Sequence, residues 1–373
     1  MLKKYNLSNI KITIILCALS LSVIGNMSVR SVDLSLQKRH LIGIIAGVFF
    51  MMVFMLIDYH IYTERFYVLF YIASVSLLLA VRLFGTVSAH ARRWLIIGGI
   101  KFQPSEITKI FLIIFFAKLM DKYKEKINTT YVFIGLTLVI IPVLLILKQP
   151  NLSTSIVTFV IFASQLFVAG FSYKVLVPIF LVSVPSVFIF MELIKRLAHA
   201  GKLPDIYQLE RIMAFLEPDN PNFAHLIDQQ NNSVMAIGSG QLIGKGINNN
   251  IISSVKDANF VSEVETDFIF SVIGEEMGFL GCVTAVILYF ILTVSLLMIA
   301  RRAKDLTGKL IATGMACLIG FQSFLNMGVA TRVLPNTGVT LPFISFGLTS
   351  MLSLYIGMGV ALNVGLQPDE LNY

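Results

Sequence analysis

The chain has 373 residues, 56% of them hydrophobic and only 13% charged, with a mean hydropathy of +0.82. A water-soluble domain carries roughly twice that charged fraction, so the composition excludes a soluble globular enzyme and makes lipid the solvent. The formal charge of +8 does not indicate nucleic acid, because no soluble domain is present to carry a basic face.

A spanning helix needs ~20 mostly apolar residues. Lys3, Lys4 and Lys11 precede the first apolar run, which is of membrane length and lacks a small-residue cleavage site. It therefore reads as a retained first helix and not as a signal peptide. The expected spans are 11–29, 41–57, 66–84, 107–120, 131–148, 153–171, 174–194, 270–300, 310–331 and 345–366. The fourth is short, and the eighth is long enough to tilt or to begin outside the bilayer. The fold class is thus all-α, a polytopic integral membrane protein of about ten transmembrane helices forming one membrane domain over 1–373. A β-barrel is excluded because every hydrophobic run has helical length.

A large extracytoplasmic loop, about 195–266, is expected between helices 7 and 8, and two further outer segments, 85–106 and 331–345, exceed what a turn needs. Long connections without a fold of their own are usually functional or disordered. Basic residues near the N-terminus, at 118–126 and at 301–309 place both termini in the cytoplasm. Arg30, Lys38, Arg39, Arg92, Arg93, Lys195 and Arg196 then fall outside, against the charge rule, which gives the outer basic residues a task. Cys17, Cys282 and Cys317 each lie inside an apolar run, with no zinc or disulfide spacing; they read as helix-packing residues.

Taken in chain order, Ala91-Arg92-Arg93-Trp94 comes first. Arginines beside the single tryptophan suit an interfacial anchor, and paired guanidinium groups equally suit a phosphate ligand. In Gln103-Pro104-Ser105-Glu106, the proline and serine signal a helix start. Glu106 and Lys109 are three apart and can pair on one face.

The segment Tyr207-Gln-Leu-Glu-Arg211 leads to Ala236-Ile-Gly-Ser-Gly240-Gln-Leu-Ile-Gly244-Lys245-Gly246. A P-loop would need glycine at Ser239 and serine or threonine at Gly246, so an NTPase is rejected. These glycines read as places of close backbone approach. In Glu265-Thr-Asp267-Phe-Ile-Phe-Ser-Val-Ile-Gly-Glu275-Glu276, Asp267 is either a helix N-cap or a functional acid. Glu275 and Glu276 lie within the apolar run, where carboxylates are costly unless paired or wet. Helical rotation puts Glu275 on the side of Asp267 and turns Glu276 toward a neighbouring helix. Finally Arg332-Val-Leu-Pro335-Asn-Thr-Gly338-Val-Thr-Leu-Pro342-Phe-Ile-Ser345 reads as a bent, re-entrant-like loop, allowed at membrane depth only when buried or lining a wet cavity. No histidine–carboxylate cluster with metal spacing and no Ser-His-Asp set is evident.

These segments, in order and spread over most of the chain, resemble the SEDS family (shape, elongation, division and sporulation), which includes RodA, FtsW and SpoVE. The resemblance rests on Arg92-Arg93-Trp94, Gln103-Pro-Ser-Glu106 with Lys109, Gln149-Pro150, Ala236-Ile-Gly-Ser-Gly240, Thr266-Asp267-Phe-Ile-Phe, Gly274-Glu-Glu and Leu341-Pro-Phe-Ile-Ser345. It implies a ten-helix glycosyltransferase of the bacterial cytoplasmic membrane that polymerises glycan from lipid II, with a class B penicillin-binding protein as partner. It makes Asp267 resemble the family's essential aspartate, and Trp94 and Glu275 its cavity residues. The expected substrate-binding set is Arg92, Arg93, Trp94, Glu106, Lys109 and Glu275, with Asp267 as base or as holder of a divalent cation, Mg or Mn. The chain departs from the family pattern at Asn151 and Ser153, at Ser262 and Glu265, where a histidine is usual just before Thr-Asp, and at Leu348 and Thr349, in a run where Gly-Gly-Ser-Ser is usual. A lipid II flippase and a non-catalytic scaffold for the penicillin-binding protein are the competing functions.

Overall fold

The computed structural model describes residues 11–88, 91–124, 129–170, 192–193, 196, 207–218, 220, 224–247 and 264–367. Lys3, Lys4, Lys195, Ser262, nearly all of the expected span 174–194, much of the large loop and the C-terminal tail lie outside them.

In chain order the described elements are α1 (Ile12–Val32), α2 (Leu34–Leu56), α3 (Tyr59–Phe84), β1 (Thr86–Ser88), β2 (Ala91–Ile97), β3 (Ile100–Phe102), α4 (Pro104–Lys122), α5 (Thr129–Leu147), α6 (Leu152–Val168), α7 (Tyr207–Leu216), α8 (Ala224–Ser239), α9 (Ile269–Arg302), α10 (Leu306–Ala330) and α11 (Leu348–Leu366). Nine of these helices, all but α7 and α8, coincide with expected spans. Six of the nine, α1, α2, α3, α9, α10 and α11, are long and apolar enough to cross a membrane by themselves. The physical reason is uniform: in hydrocarbon each peptide group must be bonded within its own segment, and a helix does this without help. Short polar residues set the starts. Asp33 accepts from Ser35 N, Asp58 from His60 N, Asn151 from Thr154 N and Asp305 from Gly308 N, while Pro104 opens α4.

Helices α10 and α11 form the centre. Of their apolar windows, 72% and 78% are buried, against 17% for α3, which lies at the periphery. One end of the bundle is tied by the α2–α3 and α9–α10 turns. There Tyr59 N donates to Asn363 Oδ1 at 3.0 Å, Asn363 Nδ2 donates to Met55 O at 2.7 Å, and Tyr59 Oη donates to Asp305 Oδ1 at 2.5 Å. Burial pushes the Asp305 carboxyl up, but hydrogen bonds from His60, Tyr59 and Gly308 N outweigh it and hold its pKa at about 2.

The other end carries a small antiparallel meander in the order β1-β2-β3. Strand structure within 85–106 is a departure from the all-helical expectation, confined to a loop too short to change the fold class. Gly98 and Gly99, at φ 57° and 81°, make the tight turn between Ile97 and Ile100, a conformation glycine adopts without steric cost.

Helix α9 is interrupted at Gly278 (φ 66°, ψ −162°). An unbroken helix would bond Phe279 N to Glu275 O and Leu280 N to Glu276 O. Instead the loop after α8 is laid into the gap: Lys245 N and Gly246 N donate to Glu275 O and Glu276 O, and Phe279 N and Leu280 N donate to Gln241 O and Leu242 O. The approach is close enough to require glycine, since a Cβ on Gly244 (φ 82°) would stand 2.1 Å from Glu276 O. Gly240 and Gly244 therefore serve close approach, as their sequence suggests, whereas Gly246 has no close neighbour. Gly244→Ala combines that clash with a left-handed backbone and should lower stability by about 1–3 kcal/mol. Gly246→Ala, with positive φ but open space around its Cβ, should cost less; thermal unfolding of the two variants in detergent compares them.

Candidate active site

On β2, side chains alternate between the two sheet faces, so Arg93 points opposite to Arg92 and Trp94. Arg92 is exposed, and the two guanidinium groups do not form a joint fork. Arg93 turns to the turn before α6, where Nε donates to Gln149 O at 3.2 Å and Nη2 to Pro150 O. Gln149 is itself fixed through Nε2 to Leu78 O at 3.0 Å. Arg211, on α7, approaches the same place and donates to Asn336 Oδ1 at 3.4 Å. Asn336 donates on to Gln229 of α8. A cleft lined by Arg93, Pro150, Leu152, Arg211, Ile212, Asn336 and Thr337 opens between them.

Asp267 lies in the turn before α9 and is half-buried. It is not the N-cap of that helix, a position held by Phe268. Its placement is set from below. Asn326 of α10, fully buried, donates through Nδ2 to Asp267 O at 2.8 Å and to Val339 O at 2.6 Å. Ser345 Oγ donates to Thr266 O, and Phe346 N to Glu265 O. Phe343 holds φ 64°, an outlier for an aromatic residue. Its neighbours hold it there: Leu341 N donates to Ser345 Oγ, and Tyr289 Oη donates to Pro342 O.

The convergence is clearest at Gly338 (φ 66°). A Cβ there would stand 3.1 Å from Asp267 Oδ2, 3.5 Å from Arg211 Nη1 and 3.8 Å from Arg93 Nη1. One carboxylate and two guanidinium groups from three separate parts of the chain therefore border a single small space, which a side chain at 338 would fill.

The remaining expected residues form two other groups. Lys109 and Glu106 are 1% and 5% exposed, with Lys109 Nζ at 3.0 and 3.1 Å from the Glu106 oxygens and 2.7 Å from Gln322 Oε1. Gln322 Nε2 continues to Thr340 O at 3.0 Å. This pair supports the backbone of the loop bearing Gly338, and its charge is already engaged. Glu275, buried, pairs with Lys245 Nζ at 2.8 Å, while Glu276 accepts from Ser31 Oγ of α1, a neighbouring helix as helical rotation suggests. Trp94 is half-buried, and Thr86 Oγ1 donates to its carbonyl.

Arg211, Asn336, Asn326, Gln322 and Lys245 were not among the expected site residues. Arg211, Asn336 and Lys245 stand in segments that sequence marks as unusual, but irregular backbone has no period from which to read direction. Gln322 and Asn326, four apart on an apolar helix, are the one signal that could have been read. Among the described residues no group of three His, Cys, Asp or Glu side chains is placed to hold a metal.

Removing one member of the deepest pair gives a direct check on its role. Lys109→Met leaves the Glu106 carboxylate buried without its cation and should cost about 3–5 kcal/mol. The double variant Glu106→Gln/Lys109→Met should regain much of that loss. A double-mutant cycle on thermal unfolding measures the coupling.

The sequence profile of the cell cycle protein family of FtsW, RodA and SpoVE matches residues 4–369. The peptidoglycan glycosyltransferase MrdB of Escherichia coli K12 is 32% identical over 367 residues, 97% of this chain and 94% of MrdB. The probable peptidoglycan glycosyltransferase FtsW of Geobacter sp. strain M18 is 31% identical over 334 residues, 88% of this chain and 86% of that protein. Among solved structures, a chain of a peptidoglycan synthase complex aligns with TM-score 0.76 at 24% identity, covering 97% and 98% of the two chains. RodA of Thermus thermophilus aligns with TM-score 0.66 at 23% identity, covering 98% and 99%. These two likenesses establish a common fold, and the match across nearly the whole length settles descent: this chain belongs to the FtsW, RodA and SpoVE family of cell cycle proteins.

Proposed function

We propose that this chain is a peptidoglycan glycosyltransferase that polymerises lipid II, with its sheet-bearing end on the outer face of the bacterial cytoplasmic membrane and both termini in the cytoplasm. The observation that carries the reading is the meeting of Asp267, Arg93 and Arg211 around Gly338. The names of MrdB and FtsW as peptidoglycan glycosyltransferases support it. The outer position is supported by the basic residues that otherwise break the lysine and arginine rule, because two of them, Arg93 and Arg92, sit on β2.

The reaction forms a C1–O bond between the donor sugar and an acceptor hydroxyl and breaks the C1–O bond to the polyprenyl diphosphate. The acceptor proton must leave as the bond forms, and the Asp267 carboxylate is the group placed to take it. Negative charge grows on the departing diphosphate, and Arg93 and Arg211 supply fixed positive charge beside it. Arg93 is held by carbonyls of 149 and 150, so its head needs little reorganisation. Glu106 and Lys109 position the floor of the site, and Glu275 with Lys245 braces α9. Arg92 and Trp94, on the other face of β2, are available to a different part of the substrate. Asp267 is the residue that would hold a divalent cation, which would supply further neutralisation of the departing diphosphate.

A class B penicillin-binding protein is the proposed partner; the fold's likeness to a chain from a complex that coordinates polymerization and crosslinking supports this. The test is polymerisation of purified lipid II by the full chain, with and without such a partner, beside Asp267→Ala. Glycan polymer from the natural chain and none from the variant is the expected result. Absence of polymer under every partner condition, from folded protein, would replace the proposal with a flippase or a scaffold. Arg211→Ala should lower turnover by about 10²–10³-fold, the usual loss of one preorganised charge donor. Arg211→Lys should recover only part, because an ammonium does not reproduce the planar fork; single-turnover rates at saturating lipid II separate this from weaker binding.

A further inference from the structure

We propose that α8 and the loop that follows it are a membrane-interface wedge: the helix slants from water into the bilayer boundary at the sheet-bearing end, and Leu242 and Ile243 at its tip lie among acyl chains.

The first observation is that α8 buries Leu226, Ile227 and Ala236 yet does not keep an all-polar outer face. Some polar side chains turn inward with them: Gln230 Nε2 donates to Val329 O and Leu334 O at 2.9 and 2.8 Å, and Ser233 Oγ donates to Ala330 O at 2.8 Å. Outward it presents Val234 and Met235, both exposed. A surface helix bathed by water buries the apolar stripe and solvates the polar one. The exposed face turns from polar to apolar along the chain, from Asp228 near the start of α8 to Leu242 and Ile243, which are 59% and 75% exposed.

The second observation is depth. Arg301 and Arg302 close α9 at the far boundary. From Phe279 to Arg301 the helix rises ~33 Å at 1.5 Å per residue, close to the ~30 Å hydrocarbon thickness. Phe279 and Leu280, exposed on the outside of α9, therefore stand at the near edge of the hydrocarbon. The loop is bonded to those same two residues, so its tip has the same depth.

The third is that the loop's backbone on either side of the tip is paired within the protein. Gly240 N, Gln241 N and Gly244 N bond within the segment, and Lys245 N and Gly246 N bond to the interrupted α9. Its one cation, Lys245, is paired to Glu275. Irregular backbone survives at this depth only with such internal pairing. The apolar surface of the tip is continuous with the lipid-facing side of α9, and lipid is the occupant it fits.

The test uses the full chain in nanodiscs of phosphatidylethanolamine and phosphatidylglycerol, with a nitroxide label at Ile243→Cys or Met235→Cys. Asp228→Cys is the wet reference, and Phe290→Cys, exposed on α9, is the lipid reference. The signal of the natural chain, with Cys17, Cys282 and Cys317, is subtracted. Collision rates with oxygen and with a water-soluble nickel chelate are compared. The expected result is that 243 and 235 behave as 290 does, open to oxygen and closed to nickel, with 228 the reverse. If 243 is open to nickel, the tip is in water and the proposal is overturned. If it is closed to both, protein covers it, whether a second copy or a partner helix, and the proposal is equally overturned.

Discussion

Lipid offers a peptide group no hydrogen-bonding partner, and the architecture of this protein follows from where that rule is obeyed by helices and where it is met by other means. Along most of the chain, helices satisfy it locally. Near the sheet-bearing end the described stretches 264–268 and 331–347 are among those that leave the helix, and there the missing bonds come from side chains and neighbouring loops. Asn326 and Gln322 reach from α10 to the carbonyls of Asp267, Val339 and Thr340, and Ser345 joins the two irregular stretches. Each such bond is also a constraint on geometry, which is why Asp267, on a turn, can be held as firmly as a residue on a strand.

The ionic groups divide by the same logic. A buried charge is tolerated when it is fully engaged, and Lys109 with Glu106, Glu275 with Lys245, and Glu276 with Ser31 are of that kind. Each such pairing also fixes the elements that carry it. At Gly338, by contrast, charged side chains face a space kept open by the lack of a Cβ. Arg93 and Arg211 are steered there in part by neutral oxygens of 149, 150 and Asn336, so their guanidinium groups border that space in fixed positions.

Much of this could be read from sequence because the bilayer imposes a length and a composition on each span. The starts at Asp33, Asp58, Pro104, Asn151 and Asp305 follow ordinary capping chemistry, and Glu106 with Lys109 follows helical spacing. The meander was legible in principle from Gly98-Gly99 between apolar neighbours, but a hairpin in a helical membrane chain is easily passed over. Arg92 and Arg93 looked like a pair because adjacency in sequence hides strand alternation. The clustering of Arg211 and Asn336 with Asp267 had no local signal at all, since residues more than fifty positions apart are joined only by tertiary packing. Likewise the break at Gly278 could not be inferred from a glycine, for a lone glycine in a membrane helix is common; it becomes intelligible only with the loop of 241–246 lying in the gap.

The positions that depart from the family pattern can be weighed by their bonds. Asn151 caps α6 through its side-chain oxygen, a task its amide shares with a carboxylate. Ser153 Oγ donates to Thr337 O, tying α6 to the wall of the cleft. Thr349 accepts from Gln103 N beside β3, and its neighbour Ser350, which keeps the family's residue, meets Thr340, so the start of α11 is joined to both the sheet and the central loop. These substitutions add or retain contacts around the site. Glu265 differs in kind, because the bond at that residue is made by its main chain, which accepts from Phe346 N, and a backbone bond is indifferent to the side chain. The fold therefore places no demand for histidine at 265. Glu265 thus places an acid two residues before Asp267 while leaving the main-chain support of that turn intact.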